Sequence, residues 1–511
     1  MTQAANCIDK KRIAKNTMLL YVRMIFVLGV GFYTVRLLLK ALGVEDYGIY
    51  NVVFGLVTSF TLFSNAMHST VQRYLCHELG QANIENTRKV FAVSVFLFLV
   101  LAAFVLVLAE TVGLWFVKYK LTIPAPRMGI ALIVYQFSIF MTLFKILQIP
   151  YIAAVTSHED MGMYAKISIL DAFLHLISVL GLFFILSERL ICFAAFYTLG
   201  NLIVLIVYAW YCLKNYVECR FSFTIDRSFL KSMLSFFSWN LFGAVANISK
   251  QQGLNLLLNM FYGVILNATW GIASQVGGAV YQFVGSFQQA FNPQILKSYT
   301  HPDRNAFLEL LYNCSKYSFM LLWIVVLPIL LKTEFLLKLW LGSDLPNSAV
   351  IFTQLTLVYM LFDAICGPMW MAVQATGNVR RYQIEISCII CLSFVFSLIA
   401  LKFGAPAWSV VLINAGVNGL TMLYRMFYLR REVHFGLFRF CIKALLPMIV
   451  VGMISYICGI FTQGFSGDKW YTVILYLIGI SLVNVVIILF AGLSGKDRIA
   501  LKNYIQRKFA R

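Results

Sequence analysis

The feature that most constrains this chain is a succession of apolar runs, each about as long as the 20-residue helix that crosses a bilayer. They fall at roughly 17–39, 47–70, 90–113, 128–154, 163–187, 190–212, 234–261, 267–294, 307–331, 349–372, 383–403, 406–428, 442–462 and 470–493. In hydrocarbon only helices and closed barrels satisfy their own backbone, and runs of this length are helices. The expected fold class is therefore an all-α polytopic membrane protein of about 14 transmembrane helices. Composition agrees: 61% of residues are hydrophobic and 12% charged, where soluble domains carry about 25% charged residues. No link between runs is long enough for a soluble catalytic domain.

The formal charge of +20 does not point to nucleic acid, because the charges sit in short links between apolar runs. The odd-to-even links are poor in basic residues, with Lys40, Arg189, Lys402 and Lys469 nearly alone. The even-to-odd links hold Arg73, Arg88 and Lys89, then Lys214, Arg220, Arg227 and Lys231, then Lys297 and Arg304, Arg380 and Arg381, and Arg430 to Lys443. Basic clusters also mark both termini. That bias predicts both termini in the cytoplasm, against one opposing link with Lys118, Lys120 and Arg127. The first run lacks a cleavage site and reads as a retained helix. The basic link 213–233 reads as a surface helix. The 11 cysteines lie mostly within apolar runs and read as small core residues. Cys388 and Cys391 have no second ligand pair, so no metal is expected.

Two links look alike. "LGVEDYGIYNVVFG" from Leu42 follows the first run, and "YGVILNATWGIASQ" from Tyr262 follows the seventh. Aligning Gly48 with Gly271 brings Arg73 to within one residue of Lys297, so each following run ends at a basic residue. This is the pattern of a six-helix repeat: two lobes in a pseudo-two-fold arrangement, plus two C-terminal helices. The expected divisions are 1–215, 216–430 and 431–511, the last carrying the two extra helices and a basic cytoplasmic tail.

Polar residues inside the runs mark candidate sites, since a membrane tolerates them only against each other or a cavity. In the seventh run Asn247, Gln251, Asn255 and Asn259 recur every fourth residue on one stripe, extended by Asn240, with Lys250 beside it. The eighth run adds Gln275, Gln282, Gln289 and Asn292. Amides can serve as glue between helices, but a stripe along two adjacent helices with a lysine in it favours a wet cavity. Other embedded charges are Arg23, Arg36, Lys145, Asp171 and Asp363, with His175 one turn after Asp171. Arg23 and Arg36 can snorkel to the interface. Asp171 and His175 form either a local pair or a titratable ion-coupling site, for which Asp363 is the further acid. Bases outnumber acids, which suits an anionic substrate. The six histidines are scattered, "HED" at His158 reads as a solvated turn, and Gly29 and Gly31 as helix packing. No enzymatic constellation emerges, so the chain is not expected to be an enzyme.

The chain resembles, over nearly its whole length, the polysaccharide flippases of the multidrug/oligosaccharidyl-lipid/polysaccharide (MOP) exporter superfamily, the Wzx-type O-antigen flippases, and within them members from the Bacteroides group. The resemblance rests on the order and spacing of "LGVEDYGIYNVV", "STVQRYLCHELGQ", "FQQAFNPQILKSY" and "QATGNVRRYQ". It implies alternating access by two lobes. The implied substrate is an undecaprenyl-pyrophosphate-linked oligosaccharide moved from the cytoplasmic to the outer leaflet for O-antigen or capsule synthesis. The implied partners are that lipid-linked oligosaccharide, membrane lipids, a polysaccharide polymerase and a chain-length regulator, with no cofactor and no nucleic acid. It further implies basic cavity residues against the pyrophosphate, a role open to Arg23 and Arg36, while Lys250 fits from the sequence's own pattern. An ion-coupled multidrug antiporter of the same superfamily is the alternative. It would place acids rather than arginines and a lysine in the cavity. A membrane polymerase or ligase would need a large outer loop, and a scaffold would not need amide stripes.

Overall fold

The computed structural model describes residues 10–58, 62–119, 125–185, 188–220, 226–341, 348–466, 470–493 and 498. The described residues form helices and contain no strand. In order these are α1 (Lys10–Thr58), α2 (Leu62–Gly80), α3 (Ile84–Leu108), α4 (Leu114–Tyr119), α5 (Met128–Ser157), α6 (Met161–Leu180), α7 (Arg189–Asn215), α8 (Arg227–Ser298), α9 (Arg304–Leu331), α10 (Thr333–Leu341), α11 (Ala349–Thr376), α12 (Val379–Lys402), α13 (Trp408–Val433), α14 (Leu437–Phe440), α15 (Leu446–Thr462) and α16 (Trp470–Ile487). Among the described residues, eleven segments are long and apolar enough to cross a membrane. They coincide with eleven of the fourteen expected runs; the other three lie in 44–80 and in the two halves of α8. The outer faces fit a lipid solvent: α16 exposes Leu475, Ile478, Leu482 and Val486 along one stripe.

α1 does not run straight through "LGVEDYG". It breaks direction at Gly43, whose φ of 77° and ψ of 176° lie outside any helix and suit a residue without Cβ. Arg127, one of the basic residues at odds with the charge bias, lies 3.6 Å from Asp46 and 3.5 Å from Glu188. Its charge is thereby matched locally.

The chain forms two compact units. Unit 1 comprises Met1–Phe242 with Leu296–Pro302, and unit 2 comprises Gly243–Ile295 with Asp303–Arg511. In unit 1, α5 is the central helix, packed on α7, α2, α3 and α1, with Phe98, Ile146, Ala153 and Met233 fully buried around it. In unit 2, α11 packs on α13 and α9. The C-terminal pair is fastened to α9 by polar contacts. Trp323 Nε1 donates to Ser455 Oγ at 2.7 Å, and Asn484 Nδ2 donates to the Trp323 carbonyl at 3.2 Å.

Helical structure in α8 continues for 72 residues, across the link expected at 262–266. No proline stands there to forbid it. Yet Lys250 and Gly278 line one cavity, and Leu254, Leu257 and Leu258 share a core cluster with Trp270 and Ala273. An unbroken helix would set residues 28 positions apart by about 42 Å. The run therefore doubles back between Leu258 and Thr269 and supplies two arms. The link at 213–233 also differs from a surface helix: Val217–Cys219 make one 3₁₀ turn, and Arg227 already begins α8.

The repeat is clearest where α5 meets α6 and α11 meets α12. Pro150 and Pro368 interrupt α5 and α11. Glu159 and Gly377 both take positive φ, 60° and 77°. Asp160 and Asn378 occupy the N-cap positions of α6 and α12, and Tyr164 and Tyr382 follow one turn later. Every one of these pairs is 218 positions apart in the sequence.

Candidate functional site

In unit 2, α11 places Tyr359 and Asp363 four residues apart, hence on one face. Lys250, on the first arm of α8, donates from Nζ to the Tyr359 hydroxyl at 3.3 Å and lies 5.1 Å from the ring centroid. Asp363 lies one turn further along the same helix, and its charge acts on Tyr359. Asp363 Oδ1 accepts from Asn418 Nδ2 of α13 at 3.1 Å, and the same amide donates to the Tyr359 carbonyl at 3.2 Å. The result is a cluster of ammonium, phenol, carboxylate and amide, hydrogen-bonded from Lys250 to Tyr359 and from Asn418 to Asp363. It borders a cavity of about 340 Å³ lined by Lys250, Asn247, Gln251, Tyr281, Asp363 and Asn414, among others. An ammonium in hydrocarbon costs at least about 2.5–3.5 kcal/mol. The phenol, its ring face and the cavity offset that cost. Arg425 of α13 donates from Nε to Tyr382 at 2.7 Å, and its charge also acts on Asp363 and Lys250.

In unit 1 a second group forms among α1, α5, α6 and α7. Arg23 lies with Cζ 4.6 Å over the Tyr164 ring, and its Nε is buried without a hydrogen-bond partner among the described residues. Lys145 Nζ donates to Tyr197 at 3.3 Å. The charges of Lys145 and Arg23 both act on Asp171. His175 stacks on Tyr197 with centroids 4.3 Å apart and planes 26° apart, and its Nε2 is buried without a hydrogen-bond partner among the described residues. Asp171 and His175 belong to one group, then, but each engages its own neighbours; no bond joins them among the described residues.

The other sequence candidates divide. Asn247 and Gln251 line the cavity with Lys250; Asn247 also donates to the Gly243 carbonyl at 3.0 Å. Asn255 is half-buried and lies outside the lining, while Gln275 and Gln282 are exposed and also outside it. Arg36 is exposed and apart from the unit 1 group. Asn259 falls outside the described side chains. Asn240 is buried, and Gln289 and Asn292 are half-buried.

Sequence reasoning passed over Tyr359, Asn414, Asn418, Arg425 and Gln288. Asn414 and Asn418 are an i,i+4 amide pair in α13, so the stripe argument applied to α8 would have found them. Gln288 has a different signal. Pro368 lacks the N–H that would bond the carbonyl four residues back, Ala364, and Gln288 Nε2 donates to that carbonyl at 3.1 Å. Lys316 is also buried, 3% exposed, in the middle of α9 over the Tyr317 ring.

The fold is similar to that of solved MATE-family transporters. The solved structures that show it include an outward-facing multidrug resistance MATE family transporter of the MOP superfamily, with TM-score 0.70, 13% identity, and 83% of this chain and 96% of that one covered. A MATE in its straight conformation matches with TM-score 0.72 at 13% identity over 83% and 96% of the two chains. A MOP transporter from Pyrococcus furiosus, described by a reversed polarity of its binding pocket that suggests a different function, matches with TM-score 0.68 at 13% identity over the same shares. No family model matches the sequence, and no curated protein does.

Proposed function

We propose that this protein is a membrane transporter that flips an anionic, lipid-linked oligosaccharide, of the undecaprenyl-pyrophosphate class, across a bacterial inner membrane, with both termini cytoplasmic. One observation carries the reading. The membrane-embedded groups each hold two cations and one carboxylate: Arg23, Lys145 and Asp171 in unit 1, and Lys250, Arg425 and Asp363 in unit 2. A net positive interior favours a pyrophosphate. The amides and phenols around Lys250 supply partners for sugar hydroxyls, each of which costs several kcal/mol to bury alone. Asp171, His175 and Asp363 are the groups we assign to coupling with an ion gradient. Arg23 is the unit 1 cation we assign to substrate; Arg36, being exposed, suits a lipid phosphate at the interface.

The cation-drug antiporter reading draws on the carboxylate of Asp363 in the cavity, but Lys250 and Arg425 already act on that charge. The deciding experiment follows head-group transfer between leaflets in proteoliposomes carrying a defined lipid-linked oligosaccharide, with a cationic dye in a parallel sample. Lys250→Ala should lower flipping at least about tenfold, about 1.4 kcal/mol of lost transition-state stabilisation, at near-normal protein abundance. Lys250→Arg should keep part of the activity, because charge persists while geometry changes. Dye exchange without lipid flipping would replace this reading with the antiporter one.

A further inference from the structure

The turn between α5 and α6 holds three consecutive polar residues, each engaging distant parts of the chain. The His158 ring bonds Glu218 and stacks flat on Tyr216, with centroids 4.1 Å apart and planes 4° apart. The Glu159 carboxylate accepts from Lys297 Nζ at 3.0 Å, while its backbone carbonyl accepts from Asn16 Nδ2 of α1 at 3.2 Å. Asp160 caps α6 by accepting from the Met163 N–H at 3.1 Å, and it accepts from the hydroxyls of Tyr211 and Tyr216. Glu159 and Glu218 are both buried. Val217–Cys219 form the 3₁₀ turn that follows α7, and Lys297 lies in the last turn of α8. One turn therefore grips both the 3₁₀ turn that follows α7 and the last turn of α8.

The backbone of that turn carries a second clue. Glu159 sits at φ 60°, in the left-handed region that a residue with Cβ occupies at a cost. Its counterpart 218 positions later is Gly377, at φ 77°, which occupies the same region freely and has no side chain to reach anything. The turn geometry thus belongs to both repeats, and the carboxylate belongs to one. Burial and strain both oppose a glutamate here, while the ion pair with Lys297 gives it a purpose.

We infer that Glu159 is a positioning residue: it holds the C-terminal end of α8 to the α5–α6 turn, and with His158 it makes that turn a fastening for both this helix end and the 3₁₀ turn after α7. The assignment does not depend on the substrate.

Hydrogen exchange on the full-length protein in lipid nanodiscs tests it. In Glu159→Gly, amides of 296–300 should exchange about tenfold faster, the signature of local opening, with α5 and α6 unchanged because glycine suits that backbone. Glu159→Lys combined with Lys297→Glu should restore protection. His158→Ala should release 217–220 and leave 296–300 protected. If Glu159→Gly does not accumulate, Glu159→Gln removes the charge at constant shape and must give the same local release. Unchanged exchange at 296–300, or an even rise throughout unit 1, would overturn the inference.

Discussion

Lys145 and Asp363 stand five residues before the proline of their helices, 218 positions apart, and carry opposite charges. Each turns to the helix two elements further on: Lys145 to Tyr197 of α7, Asp363 to Asn418 of α13. Around Lys145 the other members are Arg23 and Asp171; around Asp363 they are Lys250 and Arg425. The two groups thus reach the same sum, two cations and a carboxylate, from different positions. The backbone frame of the repeat is duplicated, whereas the charges are permuted within it. A repeat copied for stability alone would be free to lose its buried charges, since well-packed apolar residues replace buried ion pairs at no loss. Keeping the sum while shuffling the members suggests that net charge is the retained property. The units differ in one further respect: only unit 1 adds a histidine, His175, to its group.

The strongest way to break that comparison is to impose one unit's charge on the other. Lys145→Asp gives α5 the residue of α11 but sets a second carboxylate against Asp171. It should cost about 3–5 kcal/mol, as when a buried charge loses its partner, read as lost thermal stability in detergent. Lys145→Asp with Asp171→Lys should recover part of the loss in a double-mutant cycle; strict additivity would show that the two residues do not interact.

A smaller effect is expected at the proline of unit 2. Gln288→Ala leaves the Ala364 carbonyl without its donor and should destabilise by about 1–3 kcal/mol, the cost of an unsatisfied buried group. Gln288→Glu, which cannot donate when ionised, should do no better. A neutral result for both would mean that water replaces the amide at that notch.

The mildest of the three concerns coupling. Asp171→Asn should leave expression and downhill flipping near normal while reducing stimulation by a proton or sodium gradient about tenfold, or about 1.4 kcal/mol. The same change at Asp363 should reduce that stimulation too and in addition alter substrate affinity, because Asp363 also borders the cavity with Lys250. Equal behaviour of the two variants would erase the functional difference between the units. Normal gradient dependence in Asp171→Asn would remove unit 1 from coupling.

Much of the architecture was legible because hydrophobic length is a one-dimensional property. Eleven expected runs are spans within a few residues, and Lys250 with Asn247 and Gln251 was found by its stripe. What sequence could not supply was azimuth across helices. Asn255 lies on the same stripe as Asn247 but outside the cavity lining, and Gln275 and Gln282 turn away from it. Arg425, passed over in the sequence, stands out only once α12 brings Tyr382 to it. The short helix α10 was hidden in an expected link, because nine residues with an exposed Leu339 and Trp340 are too few to register as a run. The exact frame of the repeat was also hidden. Proline, positive φ and capping residues carry it, and they are common to many helix ends until geometry pairs them.

The notch at Pro368 has a mechanical side. Gly367 lies against the Gln288 side chain so closely that a Cβ there would overlap it, and the Gln288 amide reaches through that gap to Ala364. Tyr281 steadies the same amide from one side, its hydroxyl 3.4 Å from Oε1. A helix turns about 100° per residue, so even a small roll of the second α8 arm about its own axis would withdraw the amide from the gap. The groove and its occupant act as a detent. Sliding or tilting of α8 and α11 together leaves it engaged, while independent rolling meets a barrier, and that restricts the ways in which the walls of the Lys250 cavity can move.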